Sequence, residues 1–175
     1  MADKKLNAGF GYGQIELNQC AFRRDGRIEA QCKIADGIDF IENGGIFAID
    51  NVKHEVGYPA AGSYMFGLNY TSEHMYDERL VGGLKYYKTD KDSFLPRLGY
   101  LAVGDKFTTN TVVYDAADIT TMVYGYVKAG DNGYIRLSAT KPTDAIDGAP
   151  LLRVIDAKAT MPNGAPAVKF QCIKA

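Results

Sequence analysis

Only two of the 175 residues are histidine, His54 and His74, and only three are cysteine, Cys20, Cys32 and Cys172. Tryptophan is absent. Each scarcity excludes something. Three scattered cysteines do not make a disulfide framework, and all three are expected to act as small hydrophobes. No apolar run approaches the roughly 18 residues that a membrane-crossing helix needs, so no membrane partner is expected. The opening stretch, Met-Ala-Asp-Lys-Lys and then Leu-Asn-Ala-Gly-Phe-Gly-Tyr-Gly, lacks an apolar signal-peptide core, which points to synthesis in the cytoplasm. Twenty basic residues face 21 acidic ones for a net charge of −1, and neither half of the chain is basic. A nucleic-acid partner is therefore not expected.

The residues are spent instead on 19 glycines, 12 tyrosines and short alternating runs separated by turn signals. Hydrophobic residues make up 46% of the chain, enough for a real core. The pattern predicts a mainly β fold, an antiparallel barrel or sandwich with an N-terminal extended arm, a β-hairpin and little helix. Residues 1–13, with Gly9, Gly11 and Gly13 around Phe10 and Tyr12, read as a flexible arm. Residues 14–175 read as one β-rich domain with a soft sub-boundary near 94–104.

The clearest local signal is Asp25-Gly26 between two alternating runs, which predicts a hairpin over 14–35 with a type I′ turn. Pairing Arg24 with Arg27 puts Ile15, Leu17 and Ala21 beside Ile34, Cys32 and Ala30 on one apolar face. Cys20 and Cys32 then point to opposite faces and do not form a disulfide. Asn43-Gly44-Gly45 predicts a second hairpin joining 38–41 to 46–50. Further strands are expected over 63–71, 84–88, 108–114, 120–127, 134–139, 151–157 and 167–173, a short helix over 72–80 and a polar loop over 89–93. Turn signals stand at Gly104-Asp105, at Gly130-Asp131-Asn132-Gly133, at Asp147-Gly148 and at Pro162-Asn163-Gly164.

No constellation of reactive residues predicts catalysis, and no cofactor is expected. Ser138-Ala-Thr-Lys141 matches the S-x-x-K pattern, yet Pro142 disfavours the helix that chemistry needs, and the partner motifs are missing. The glycines at 9–13 lack the Gly-Lys-Ser/Thr of a phosphate loop. His54 with Glu55 and His74 with Glu73 have no spacing that puts them on one face for a metal. Asp36, Asp39 and Glu42 do not match an EF-hand loop. Asn69-Tyr-Thr71 satisfies the glycosylation pattern by chance. Tyrosine supplies rigid apolar area with a polar tip, so the candidate contact residues are Phe10, Tyr12, Tyr124 and Tyr126, the last two of like parity in one strand.

Two segments carry a family resemblance. Pro96-Arg97-Leu98-Gly99-Tyr100-Leu101-Ala102-Val103-Gly104-Asp105-Lys106-Phe107-Thr108-Thr109-Asn110 and the ending from Met161 to Cys172 resemble the small head proteins of tailed bacteriophages, particularly capsid decoration or cement proteins. The resemblance transfers no functional residue. It implies a β-rich virion protein that binds the outer head lattice, with the major capsid protein and copies of itself, as in a trimer, for partners. A tail-tube or head–tail connector subunit shares the same composition, with 72–97 as its exchanged loop. A carbohydrate- or peptide-binding β module is the alternative from outside particle assembly.

Overall fold

The computed structural model describes residues 3–74, 89–91 and 95–175. The fold is mainly β, with strands β1 (Lys4–Lys5), β2 (Ile15–Gln19), β3 (Ile28–Glu29), β4 (Lys33–Ile34), β5 (Phe40–Ile41), β6 (Ile46–Asp50), β7 (Glu55–Gly57) and β8 (Phe66–Asn69) in the first part of the chain. β9 (Thr89–Asp90), β10 (Leu98–Gly99), β11 (Lys106–Thr109), β12 (Val112–Tyr114), β13 (Tyr124–Val127), β14 (Ile135–Ser138), β15 (Leu151–Thr160) and β16 (Pro166–Lys174) follow. Two short α-helices, α1 (Ala21–Asp25) and α2 (Thr71–His74), and a 3-10 turn at Ile119–Thr121 are the helical pieces among the described residues. No helix among them is long and apolar enough to cross a membrane.

An eight-stranded sheet runs in the order β1-β12-β14-β13-β15-β16-β11-β2, and a six-stranded sheet in the order β3-β10-β8-β6-β7-β4. β5 and β9 form a separate pair. Most pairings are antiparallel, but β12–β14 and β4–β7 are parallel, which corrects a purely antiparallel expectation.

The large sheet cannot be flat. β11 and β12 stand five places apart in it, which is about 24 Å at the usual strand spacing. Only Asn110 and Thr111 join them, and three Cα–Cα steps span at most about 11 Å. The sheet must therefore curl until its two ends approach. The hydrogen-bond ladder stays open at that seam. Past the strand ends, side chains extend the pairing of the neighbouring strands β2 and β11. Gln14 N–H donates to Asn110 Oδ1 at 2.6 Å, and Thr109 Oγ1 donates to Gln14 O at 2.8 Å.

One hydrophobic cluster joins the two sheets. Phe107, Ile135, Leu152 and Phe170 of the large sheet share it with Ile46, Leu68 and Phe66 of the smaller one. A second cluster, with Phe47, Ile49, Val56 and Leu98, covers the other face of the smaller sheet. The main cluster draws on residues from Ile15 to Cys172, so it spans both sides of 94–104.

The predicted 14–35 hairpin is absent. Residues Ala21–Asp25 turn into α1, and Gly26, at φ 67°, is its left-handed C-terminal residue, with Phe22 O accepting its N–H. Both a type I′ turn and a helix end need positive φ at glycine, so the local signal serves either. Long-range pairing decides. β2 pairs with β11, and β3 with β10. Phe22 is fully buried against Gly99, where any Cβ would overlap its ring. The second predicted hairpin also fails: β5 pairs with β9, while β6 pairs with β7 and β8.

The segment expected to be a flexible arm is docked. β1 pairs with β12, Leu6 N–H donates to Val112 O at 3.0 Å, and Asn7 is buried. Its glycines serve local geometry instead: Gly11 takes φ 76°, and a Cβ on Gly13 would overlap Thr111 Oγ1 and Asn43 O.

Other expectations hold in outline. β8 lies within 63–71, α2 starts near the expected helix, and β14 to β16 match their predicted strands; of the strand expected over 120–127 only Tyr124–Val127 forms, because Ile119–Thr121 take a 3-10 turn begun by Asp118. Residues 75–88 of the predicted helix and strand lie outside the described residues, as do 92–93 of the loop expected over 89–93, whose start is instead β9, paired with β5. Asp131-Asn132-Gly133-Tyr134 is the true type I′ turn, with φ 52° at Asn132, φ 82° at Gly133 and a Tyr134 N–H to Asp131 O bond of 3.0 Å.

All three cysteines are free. Burial raises the Cys20 thiol to about 12 and those of Cys32 and Cys172 to about 11. The expected result of a thiol titration at pH 8 is very slow modification of the native chain and full reaction of all three in denaturant. A fast native phase would contradict this burial.

Candidate interaction face

The alternation of β13 sets the site. Gly125 faces the core, where a Cβ would crowd Phe170 and Ile135, so Tyr124 and Tyr126 point to the opposite, outer face. Cross-strand registers carry that face over five strands. Tyr124 pairs with Arg153, Arg153 with Gln171, Gln171 with Lys106 and Lys106 with Gln19. Directly across strands, such side chains lie side by side. The Arg153 guanidinium sits 5.4 Å from the Tyr124 ring centroid, a cation–π contact that holds both side chains in place.

Apolar area flanks this row. Ile155 is 44% exposed and sits at a register shift in β15, where the chain places an extra residue opposite Lys169. Ile173, two residues beyond Gln171, is 40% exposed. The face thus combines an aromatic ring, a guanidinium and branched aliphatics with lysines around them. The tyrosine and the arginine are types enriched in protein–protein contact patches, and the lysines fit a polar rim.

The four residues singled out from sequence are not gathered into one site. Tyr124 belongs to the outer row. Tyr126 lies on the same side but is covered; its hydroxyl bonds Asp144, which itself holds Lys128 at 2.6 Å. Burial first, and then the Asp144 carboxylate, push the Tyr126 phenol well above its ordinary range. Phe10, 38% exposed, and Tyr12, half-buried, lie in the turn after β1.

Burial also raises Tyr134, to about 12, with Glu42 as the next cause. These tyrosines bind their protons more tightly folded than unfolded. Their contribution to stability is complete below pH 10 and is lost as pH rises through the folded values. An absorbance titration at 295 nm should show at least these two tyrosines ionising only with alkaline unfolding, with Tyr70, also raised by burial, delayed beside them. If all twelve titrate near pH 10 while the fold persists, the burial is wrong.

The weaker candidates fall away on geometry. Asp36 faces Lys33, Asp39 faces Lys91, and Glu42 turns inward to the Gly13 N–H at 2.6 Å, so these carboxylates diverge. Among the described residues no three His, Cys, Asp or Glu side chains group as metal ligands. His54 occupies a left-handed turn position, φ 56°; the His74 side chain lies outside the described part. Ser138 ends a strand rather than starting a helix. Asn69 is fully buried, its amide donating to Glu42 O and Thr89 Oγ1, both at 3.1 Å, so it is no glycan acceptor.

Two features escaped sequence reasoning. The first is a buried Asn/Thr junction between the sheets. Thr111 Oγ1 donates to Asn43 O at 2.5 Å, Asn43 Oδ1 accepts Ser72 N–H at 3.1 Å, and Asn69 O accepts Gly44 N–H at 2.7 Å. Its signal was present in Thr108-Thr109-Asn110-Thr111, where polar residues interrupt what was taken for one strand. The second is the clamp on the N-terminus. Arg136 holds Asp131 through 2.6 and 2.7 Å bonds and Asp3 through 2.6 and 3.1 Å bonds. Nothing local in the sequence links positions 3 and 136. No family model matches this chain, and no curated protein or solved structure matches it either.

Proposed function

We propose that this chain is a non-enzymatic structural subunit of a virus particle, a decoration protein that binds the outer head lattice and stabilises it. The observation that carries the reading is the outer face of β13, β15, β16, β11 and β2, with Tyr124, Arg153 and Ile155 as its anchors. The family resemblance of 96–110 and 161–172 points the same way.

The mechanism is ordinary association. A rigid sheet presents anchors whose rotamers are already fixed, so little side-chain entropy is lost on contact. Each copy contributes a modest area, and binding across neighbouring lattice subunits gains by multivalency. Because Lys4–Lys5 pair with β12 and Asn7 is buried, the N-terminal segment is not a free arm that could bridge lattice subunits, and that role falls to this face.

Co-sedimentation with purified particles tests it. Arg153→Glu and Tyr124→Ala should each weaken binding about tenfold, equivalent to about 1.4 kcal/mol, without lowering the melting temperature. If both variants saturate particles like the parent chain, this face is not the contact.

A further inference from the structure

Asparagine is followed by glycine at Asn43-Gly44, Asn132-Gly133 and Asn163-Gly164. Such a step has a chemistry of its own. The glycine amide nitrogen attacks the asparagine Cγ, with no Cβ on the glycine to shield it. A new C–N bond forms, the side-chain amide leaves as ammonia, and a five-membered succinimide remains. Water then opens the ring at either carbonyl. The product is aspartate or, with the main chain rerouted through Cβ, isoaspartate. Water is the one reagent consumed and ammonia the one released. The asparagine side chain and the peptide joining the pair must rotate into contact, so each hydrogen bond on those groups slows the reaction.

The fold guards two of these steps. Asn43 is fully buried. Gly44 N–H donates to Asn69 O at 2.7 Å, Asn43 O accepts the Thr111 hydroxyl at 2.5 Å, and Asn43 Oδ1 accepts Ser72 N–H at 3.1 Å. Asn163 is exposed, yet Gly164 N–H donates to Met161 O at 2.8 Å and Asn163 Oδ1 accepts Ala165 N–H at 3.1 Å. Those two bonds hold the attacking nitrogen and the side chain separately. Asn132 is different. It is exposed, inside the type I′ turn. Among the described residues its side chain, its carbonyl and the Gly133 N–H have no hydrogen-bond partner. The turn closes around this peptide: Tyr134 N–H donates to Asp131 O at 3.0 Å, and Asp131 N–H to Lys128 O at 3.4 Å. At φ 52° Asn132 also holds a left-handed conformation that costs a residue with a Cβ free energy, so leaving it relieves strain.

We infer that Asn132 is a modification site, the position at which the native chain deamidates, and that its isoaspartate product loosens the turn. The groups on either side make the change consequential. Asp131 holds Arg136 through bonds of 2.6 and 2.7 Å, and Arg136 holds Asp3. Gly133 O accepts Ile46 N–H at 2.9 Å, and a Cβ on Gly133 would overlap the Phe47 ring. Both neighbours of Asn132 are thus anchored to other parts of the fold. Isoaspartate inserts one extra main-chain carbon between those anchors, and a four-residue turn has no slack to absorb it. Either product also places a new carboxylate beside Asp131. This inference stands or falls independently of the lattice reading.

The test is incubation of the full chain at neutral pH, native and in urea, with peptide mapping by mass spectrometry that separates aspartate from isoaspartate. In the native chain Asn132 should convert first, at least about tenfold faster than Asn163, the factor that two retained hydrogen bonds supply. Asn43 should stay intact. In urea the three steps should convert at similar rates. Native conversion led by Asn163 or Asn43 overturns the assignment. So does an Asn132 that stays intact in the native chain while reacting in urea. The same order of rates in urea overturns it too, since the preference would then lie in the flanking residues rather than in the fold. Asn132→Gly, which keeps the positive φ, should abolish the leading native reaction with little change in the melting curve. The isoaspartate fraction, separated by ion exchange, should melt below the parent chain. Asn132→Asp, which carries the charge without the extra carbon, should melt close to the parent. An isoaspartate fraction that melts with the parent would contradict the loosened turn.

Discussion

Gly44→Ala should be a severely damaging single-methyl change. Gly44 takes φ 78°, a region that costs an alanine about 1–2 kcal/mol. The added Cβ would also overlap Thr109 Oγ1 and lie 2.7 Å from Gln14 O. Neither neighbour has room to move. Thr109 Oγ1 donates to that same Gln14 carbonyl, and Gln14 is tied to Asn110 at the end of the β2–β11 pairing. Overpacking at such a site adds about 1–3 kcal/mol. The total, about 2–5 kcal/mol, is a large share of the roughly 5–15 kcal/mol that stabilises a typical domain. Urea unfolding followed by circular dichroism should show a midpoint shift of that size, or no soluble protein. Gly62→Ala is the control: Gly62 also has positive φ, 87°, but nothing lies within 4 Å of its added Cβ. Equal midpoints for the two variants would contradict this close packing of Gly44 on the β2–β11 end.

Arg136→Met should cost about 3–5 kcal/mol, since removing one partner of a buried pair strands the other. Arg136 and Asp131 have side chains only 11% and 10% exposed and share two short bonds. Asp3 is different. Its side chain is 52% exposed, and Asp3→Asn should shift the midpoint far less. Arg136→Lys is not conservative here, because one ammonium cannot match the forked contacts to two carboxylates. A pH series adds a signed test. The Arg136 guanidinium holds the Asp3 carboxyl below its ordinary 3.8, and the Lys128 ammonium does the same for Asp144. Carboxyls that ionise more readily when folded add stability above their unfolded value, and lose it as pH falls through the folded value. Stability should therefore fall below about pH 4, and by less in an Asp3→Asn variant. Equal acid sensitivity in parent and variant would remove the Asp3 clamp.

What the sequence made legible was the alternation and the turns with one local solution. Ile135, Leu137 and the Asn132-Gly133 step are enough to place β14 and the turn before it. The same holds for the ribbon of β15 and β16 around Pro162-Asn163-Gly164. Asp25-Gly26 has two local solutions, and the choice between them lies in Phe22 packing on Gly99, more than seventy residues away. Asn43-Gly44-Gly45 is similar. Its glycines are needed for backbone approach to Gln14 and Gly133, not for a hairpin. Tyr124 and Tyr126 were correctly placed on one side of a strand, yet parity says nothing of the segment that covers Tyr126 through Asp144. The convergence of Lys5, Asn7, Glu42, Tyr58 and Tyr134 around one cavity was illegible for a deeper reason. These residues come from four segments spread between positions 5 and 134, and no short spacing encodes their meeting.

The most direct measurement is the copy number of this chain in purified particles from its source, by quantitative mass spectrometry against the major shell protein. A lattice-wide decoration role predicts a ratio near one, or a simple fraction such as one third. A few dozen copies or fewer would move the chain to the tail, neck or vertices. Its complete absence from particles would contradict the structural role.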